Sequence, residues 1–406
     1  MKTTKAISML ACIIAAFIIS SPYSAAKKKY ETPKYVFLFI GDGMGMSQVA
    51  AAESFISYKA DKLGGEQVLF TTFPVHGSAF SHSADKRVTD SSAAGTAIST
   101  GVKTNNKMLG VDPEGNNLMS MSYDLQDRGY NIGVLSSVPI NHATPASFYA
   151  RKASRYSYYD ITAEIPGSGF EYFAGSGMIE YFGEKNDKES TAAVLEREGI
   201  NVCFSKEEAE EAIKNGDRLL LCQPYNNEKE PTNYDAGGKM PEGHILLHEM
   251  LELGIKRLGE KEPFFIMCEG GEIDWAAHSD KTMPMIIATI GFDEAIKTAY
   301  EFYLEHPDET LIVVTADHET GGVALGAGNH HGNINWEVIE NSWIENEMSN
   351  NLRPDENARL NAEAHIGWTT TDHTGGAVPV YAIGKGAEKF AGRMDNTDIK
   401  SKILGE

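Results

Sequence analysis

Five apolar runs stand out along the chain: "YVFLFI" (35–40), "YNIGVLSSV" (130–138), "PFFIMC" (263–268), "TLIVVT" (310–315) and "VPVYAI" (378–383). Most are β-branched or aromatic, and none alternates clearly with polar residues. Strands covered on both faces read this way, because neither face meets water. Between them lie stretches with helical spacing, such as "EGHILLHEMLELGIKRLGE" and "MPMIIATIGFDEAIKTAYEFYLEH". Strand and helix in turn predict a doubly wound α/β fold, with a mostly parallel central sheet and helices on both faces. Residues 319–372 break the rhythm. They are polar and rich in asparagine, and are expected to form a small crown-like insertion on one main domain of 27–406.

The chemistry lies where these runs end. "YVFLFI" leads into Asp42, and "PFFIMC" into Glu269, Asp274 and His278. "TLIVVT" leads into Asp317 and His318, and "YNIGVLSSV" into His142 and Thr144. In open α/β sheets, ligands bind beyond the carboxyl ends of the strands. Crowded carboxylates repel unless positive charge sits among them, and divalent cations supply it. Oxygen ligands with imidazoles suit zinc; groups of oxygens alone suit magnesium. Asp274 and His278 are four apart and share a face if a helix starts there. Singly, an acid after a strand is more often a turn former or cap. Four such endings in one chain tip the balance towards a metal rim. His244 and His248 also stand four apart, but no third ligand is suggested, so a helix surface or packed pair is expected. His330 and His331 read as surface residues of a polar loop.

A stretch of small residues, "VTDSSAAGTAISTG" (88–101), carries the remaining signal. Asp90 or a serine suits an N-cap, the alanines favour helix, and Gly101 can stop it. The plain reading is a capped helix packed close to the sheet. A helix start also offers unpaired N–H groups to an anion. A serine there needs a base or a metal to become a nucleophile. No histidine lies nearby in sequence, so the metal rim is the candidate activator.

Composition narrows the setting. The chain has 406 residues and is 42% hydrophobic, which excludes a disordered protein. Residues 1–26 read as an export signal: Lys2 and Lys5 precede an apolar run that ends near "SAA". An exported protein, periplasmic or secreted, is expected. Cys12 comes too early in the run for a lipoprotein, and no later run spans a membrane. Without Lys2 and Lys5 the net charge falls from −21 to −23. That excludes nucleic acid as a stable partner and makes any anionic substrate depend on local positive charge. Cys203, Cys222 and Cys268 remain. Their odd number precludes a complete disulfide framework and leaves a Cys203–Cys222 bridge open.

Six motifs, taken together and in order, resemble the alkaline phosphatases. They are "FLFIGDGMG", "VTDSSAAGTAISTGVKT", "HATPASFYARKASR", "EGGEIDWAAH", "TADHETGG" and "TDHTGG", and the likeness spans about 35–385. It implies hydrolysis of phosphate monoesters with two zinc ions and one magnesium ion. Ser91 matches the family's nucleophile, and Arg155 the arginine that grips phosphate. Asp42, Asp317 and His318 match the ligands of one zinc. Asp274, His278 and His373 match those of the other. Asp42, Thr144 and Glu269 match those of magnesium. Members are often homodimers. The rim argument alone finds neither His373, which precedes a strand run, nor Arg155.

Two positions depart from the enterobacterial form of the family: His142 stands in place of an aspartate, and Trp275 in place of a lysine. The change leaves the third metal's identity open, with His142 a further candidate ligand and Trp275 a candidate neighbour. Two other readings use the same residues. One is a metal-dependent phosphodiesterase or nucleotide pyrophosphatase of the same superfamily. The other is a non-catalytic metal- or phosphate-binding protein. Ser91 together with Arg155 favours the monoesterase.

Overall fold

A computed structural model describes residues 32–223, 243–259, 261–328, 332–346 and 352–406. The expected export signal at 1–26, Cys12 and the His330–His331 pair lie outside them. The strands are β1 (Tyr35–Gly41), β2 (Val75–Phe80), β3 (Asn131–Ser136), β4 (Tyr172–Gly175), β5 (Asn201–Cys203), β6 (Leu219–Cys222), β7 (Phe264–Gly270) and β8 (Thr310–Ala316). Two-residue strands follow, β9 (Glu319–Thr320), β10 (Ala324–Leu325), β11 (Ile366–Gly367) and β12 (His373–Thr374), then β13 (Val378–Gly384) and β14 (Gly392–Asp395). Ten of these form one sheet in the order β14-β2-β13-β8-β1-β7-β3-β4-β6-β5. Every pairing is parallel except those of β13 with β2 and β8. The mostly parallel α/β expectation therefore holds, and all five apolar runs are strands.

Neighbouring residues on β7 show why the runs do not alternate. Phe264 packs on Phe302 of the helix Thr282–Glu305, with ring centroids 5.4 Å apart. Phe265, whose side chain points to the opposite face, stacks on Phe148 at 6.2 Å. Packed segments thus cover both faces, and both residues are fully buried. Among the described residues no helix is long and apolar enough to cross a membrane. Cys203, Cys222 and Cys268 are buried free thiols, so the Cys203–Cys222 bridge left open by the sequence is not formed.

The segment 319–372 starts and finishes beside the β9–β12 pair, where His373 aligns with Thr320. Its helices Trp336–Glu345 and Pro354–Glu363 pack on the main body. The Trp336 ring lies edge-on to Phe55, 5.7 Å away, and its Nε1–H donates to Ser54 Oγ at 3.0 Å. Asn357 and Asn361 donate to the Asp280 carbonyl, each at 2.7 Å. The asparagines are therefore clamps onto the loop after His278, and Asp280 takes a left-handed φ of 52° there.

Candidate active site

Strands β1, β7 and β8 end level, because Gly41 pairs with both Gly270 and Ala316. Asp42 and Asp317 leave the sheet side by side. Gly43 makes the turn with φ 69°; a Cβ there would lie 2.8 Å from Thr320 Oγ1 and 2.9 Å from the Asp274 Cα. Only glycine lets these segments meet. Asp317 Oδ1 accepts the N–H groups of Gly43 (3.1 Å) and His318 (2.8 Å), which leaves Oδ2 for the site. Glu269, on β7, accepts a hydrogen bond from Ser136 of the adjacent β3. Asp274 lies on the helix Glu272–Ala277, and the His278 N–H donates to its carbonyl at 2.8 Å. The two side chains face each other, with His278 Nε2 3.3 Å from Asp274 Oδ2.

Three groups of ligand atoms result: Asp42, Asp317 and His318; Asp274, His278 and His373; and Asp42, Glu269 and His142. Within each, the atoms lie within 4.8 Å of one another. Hydrogen bonds fix the imidazoles. His278 Nδ1 faces the Thr371 carbonyl at 2.7 Å, and His373 Nδ1 the Thr89 carbonyl at 2.8 Å. A carbonyl only accepts, so Nδ1 carries the proton and Nε2 turns to the site. His142 differs. Its Nε2 lies 3.1 Å from Arg155 Nη2, which only donates. Burial and then Arg155 push its pKa down to about 3, so the ring is neutral and its lone pair serves Arg155. Trp275 lies edge-on to His142 at 5.7 Å.

The donors fit cations. Both carboxylate oxygens of Asp42, Asp317 Oδ2, Glu269 Oε1 and Thr144 Oγ1 are buried with no hydrogen-bond partner among the described residues. Burial, then Asp317, holds the Asp42 carboxyl well above the usual range. Burial likewise pushes Glu269 up to about 8 and Asp317 to about 6. Asp274 goes the other way: its burial is outweighed by the His278 hydrogen bond and by His318, and its pKa falls. The same hydrogen bond raises His278 to about 9. By itself the cluster must hold protons; a divalent cation removes the need for them.

Ser91 is the first residue of the helix Ser91–Thr100, with Asp90 as N-cap and Gly101 as the left-handed stop. Every residue of that helix is buried. Ser91 Oγ lies 3.3 Å from His318 Nε2 and 3.4 Å from Arg155 Nη1. Ser92 instead donates to the Asp90 carboxylate at 2.9–3.0 Å. The same carboxylate accepts from the Ala93 N–H (3.0 Å) and the Lys107 N–H (3.0 Å) and pairs with Arg155 Nη1 at 3.2 Å. Ser91, not Ser92, therefore opens onto the ligand groups. Above it lies a cavity of about 1040 Å³, lined by Arg155, His142, Trp275, His278 and His373 among others.

A profile of the alkaline phosphatase family matches residues 33–195 and 239–404. The chain belongs to the alkaline phosphatase family. It is 30% identical to alkaline phosphatase 4 of Bacillus subtilis, over 94% of this chain and 90% of that one. The solved alkaline phosphatase of the Antarctic bacterium TAB5 is 29% identical, with 92% of this chain and 98% of that one covered and a TM-score of 0.73. A variant of that enzyme with one histidine replaced by glutamate was solved with magnesium in its M3 site. The cold-active alkaline phosphatase of Shewanella shares the fold: TM-score 0.79, 24% identity, 91% of this chain and 98% of that one. The chain is thus a phosphomonoesterase of a metal-dependent family, and its ligand groups meet that requirement.

All twelve residues expected to form the site lie in this one region, with Thr144 beside the Glu269 carboxyl. Two supporting residues of the enzyme went unnoticed. Ser136 orients Glu269, and Thr320 donates to Asp274 while its oxygen lies 3.2 Å from His318 Nδ1. Neither stands out from other buried hydroxyls in the sequence. His244 and His248 belong to no ligand group among the described residues.

Proposed function

We propose that this enzyme hydrolyses phosphate monoesters through a phosphoserine on Ser91. In this reading Asp42, Asp317 and His318 hold one zinc ion, and Asp274, His278 and His373 hold a second. Asp42, Thr144 and Glu269 hold magnesium. The observation that carries the proposal is the place of Ser91 Oγ, between His318 Nε2 at 3.3 Å and the buried Arg155 at 3.4 Å. When bound, the ions supply positive charge that favours the ionised serine and offsets charge on the departing oxygen.

The chain's own groups do the rest. The Ser91 Oγ–P bond forms as the P–O bond to the alcohol breaks. The proton lost by the serine is balanced by the one the departing alkoxide takes. Water then attacks the phosphoserine, giving inorganic phosphate and restoring the hydroxyl. Arg155 binds the equatorial phosphoryl oxygens, with Asp90 and His142 holding its guanidinium in plane. The N-terminus of the Ser91 helix adds partial positive charge. The leader-like residues 1–26 favour an exported enzyme.

Metal analysis alongside assays with an aryl phosphate monoester and the matching diester tests the proposal. Zinc and magnesium should co-purify, the monoester should react far faster, and chelation should stop turnover. Preference for the diester, or full activity after exhaustive chelation, overturns it.

A further inference from the structure

The cavity over Ser91 is far larger than one phosphoryl group, so it also receives the leaving group. Two loops form one wall. Asn106 ties them: its N–H donates to Asp85 Oδ1 at 2.9 Å, its Nδ2 donates to the Val88 carbonyl at 3.1 Å, and its Oδ1 accepts the Asp90 N–H at 3.2 Å. Both loops present cations to the cavity, Lys86 and Arg87 on one and Lys107 on the other. Lys86 is beside Asp85, 3.7 Å away. The exposed side chains of Arg87 and Lys107 have no ion pair or hydrogen bond among the described residues.

Lys107 is held in place. Its backbone takes a left-handed φ of 74°, unusual for lysine. Its N–H is bound by Asp90, and its carbonyl accepts the Arg155 N–H at 2.8 Å. The two residues flanking the nucleophile thus clamp Lys107 at the mouth. Among the described residues no nearby acid forms an ion pair with either. Asp85 serves Asn106, Ser83 and Lys86, Asp90 serves Arg155, and Asp372 caps the His373 N–H at 2.8 Å. In a chain of net charge −21, two cations without an ion pair stand beside the leaving-group space.

We infer that Arg87 and Lys107 select substrates whose leaving group carries a second phosphoryl group. The inference rests on the monoesterase reading above. The test compares kcat/KM for a sugar bisphosphate with that for the same sugar's monophosphate. The wild-type ratio should clearly exceed the value of about two expected when either ester can react. Exposed charge pairs contribute up to about 1 kcal/mol, so Arg87→Gln and Lys107→Asn should each lower the ratio by roughly three- to fivefold. Asparagine tolerates the left-handed backbone at 107. Arg87→Lys should keep most of the preference, and high salt should erase it. An unchanged ratio in the Arg87→Gln/Lys107→Asn double variant overturns the inference, as does a preference that salt does not weaken. Failure of the wild type to hydrolyse the monophosphate at all would sink the monoesterase reading instead.

Discussion

Thr320→Val is a sharp test of the way the ligand groups are held. The Thr320 hydroxyl has one proton, and it donates that proton to Asp274. A carboxylate only accepts, so the hydroxyl's lone pair takes the Nδ1–H of His318 at 3.2 Å. This pins the His318 proton on Nδ1 and leaves Nε2 bare, 3.2 Å from Asp317 Oδ2 and 3.4 Å from Asp42 Oδ1. Valine keeps the shape but removes both bonds. The proton then moves to Nε2, where those carboxylates accept it. Metal binding must return it to an Nδ1 that is fully buried and has lost its acceptor. Leaving a buried N–H unsatisfied costs about 1–3 kcal/mol. At a central value of about 2 kcal/mol, divalent-metal affinity falls about 30-fold, within the ~10–100-fold range for outer partners of metal ligands. Competition with a chromophoric chelator reads this directly, without reference to turnover, and Thr320→Ser should restore it. Affinity in the valine variant within about twofold of wild type would refute the tautomer argument.

Ser91→Ala should abolish phosphoserine formation and nearly all turnover, whereas Ser92→Ala should retain turnover and lose about 1 kcal/mol of stability with its bond to Asp90; rapid-quench labelling and urea unfolding separate the two. Gly95→Ala should destabilise by about 1 kcal/mol: alanine gains about 1 kcal/mol in helix propensity, but its Cβ would sit 2.6 Å from Ser147 Oγ, and overpacking costs about 1–3 kcal/mol. A more stable variant in urea unfolding would contradict the close approach. Burial raises Asp293 to about 6 from 3.8, against the pull of the Leu69 and Phe70 N–H groups. The folded state therefore binds this proton more tightly, so the stability it contributes is fully present below about pH 4 and lost as pH rises through about 6. Asp293→Asn should remove about 2 kcal/mol of that slope, read by unfolding at pH 4.5 and 7; parallel curves for the two proteins would reject the assignment.

The centre of the fold was legible and its margins were not. Strands β1, β7, β8 and β13 are seven residues each and mostly or wholly buried, so they appear as continuous apolar runs. Strands β4, β5 and β6 span only three or four residues, too few for any period to register. Strand β2 is half-exposed, with Ala79 its one buried residue, and β14 shares that margin. The antiparallel direction of β13 also left no local mark. It follows from the path of the 319–372 segment, which brings the chain back beside β8 from the site end of the sheet.

The same distinction governs the site. A residue that follows a buried strand has an address, because the register of a parallel sheet carries it to the rim; Asp42, Glu269 and Asp317 were found this way, with His318 and Asp274 close behind. His373 has none, since it precedes β13 and reaches its partners through the β9–β12 pair and the Thr89 carbonyl. Arg155 lies outside regular structure, tied by its N–H to the Lys107 carbonyl, so only its likeness to a known motif singled it out. Thr320 and Ser136 are less visible still. Each gives its one hydroxyl proton to a carboxylate that other residues put in place, and Thr320 also takes the Nδ1–H of His318. What a sequence conceals here is the second layer of contacts, because a donor's partner is decided by the meeting of segments far apart in the chain. Thr320 meets Asp274 across 46 residues, and only Gly43, which lacks a side chain, lets them approach.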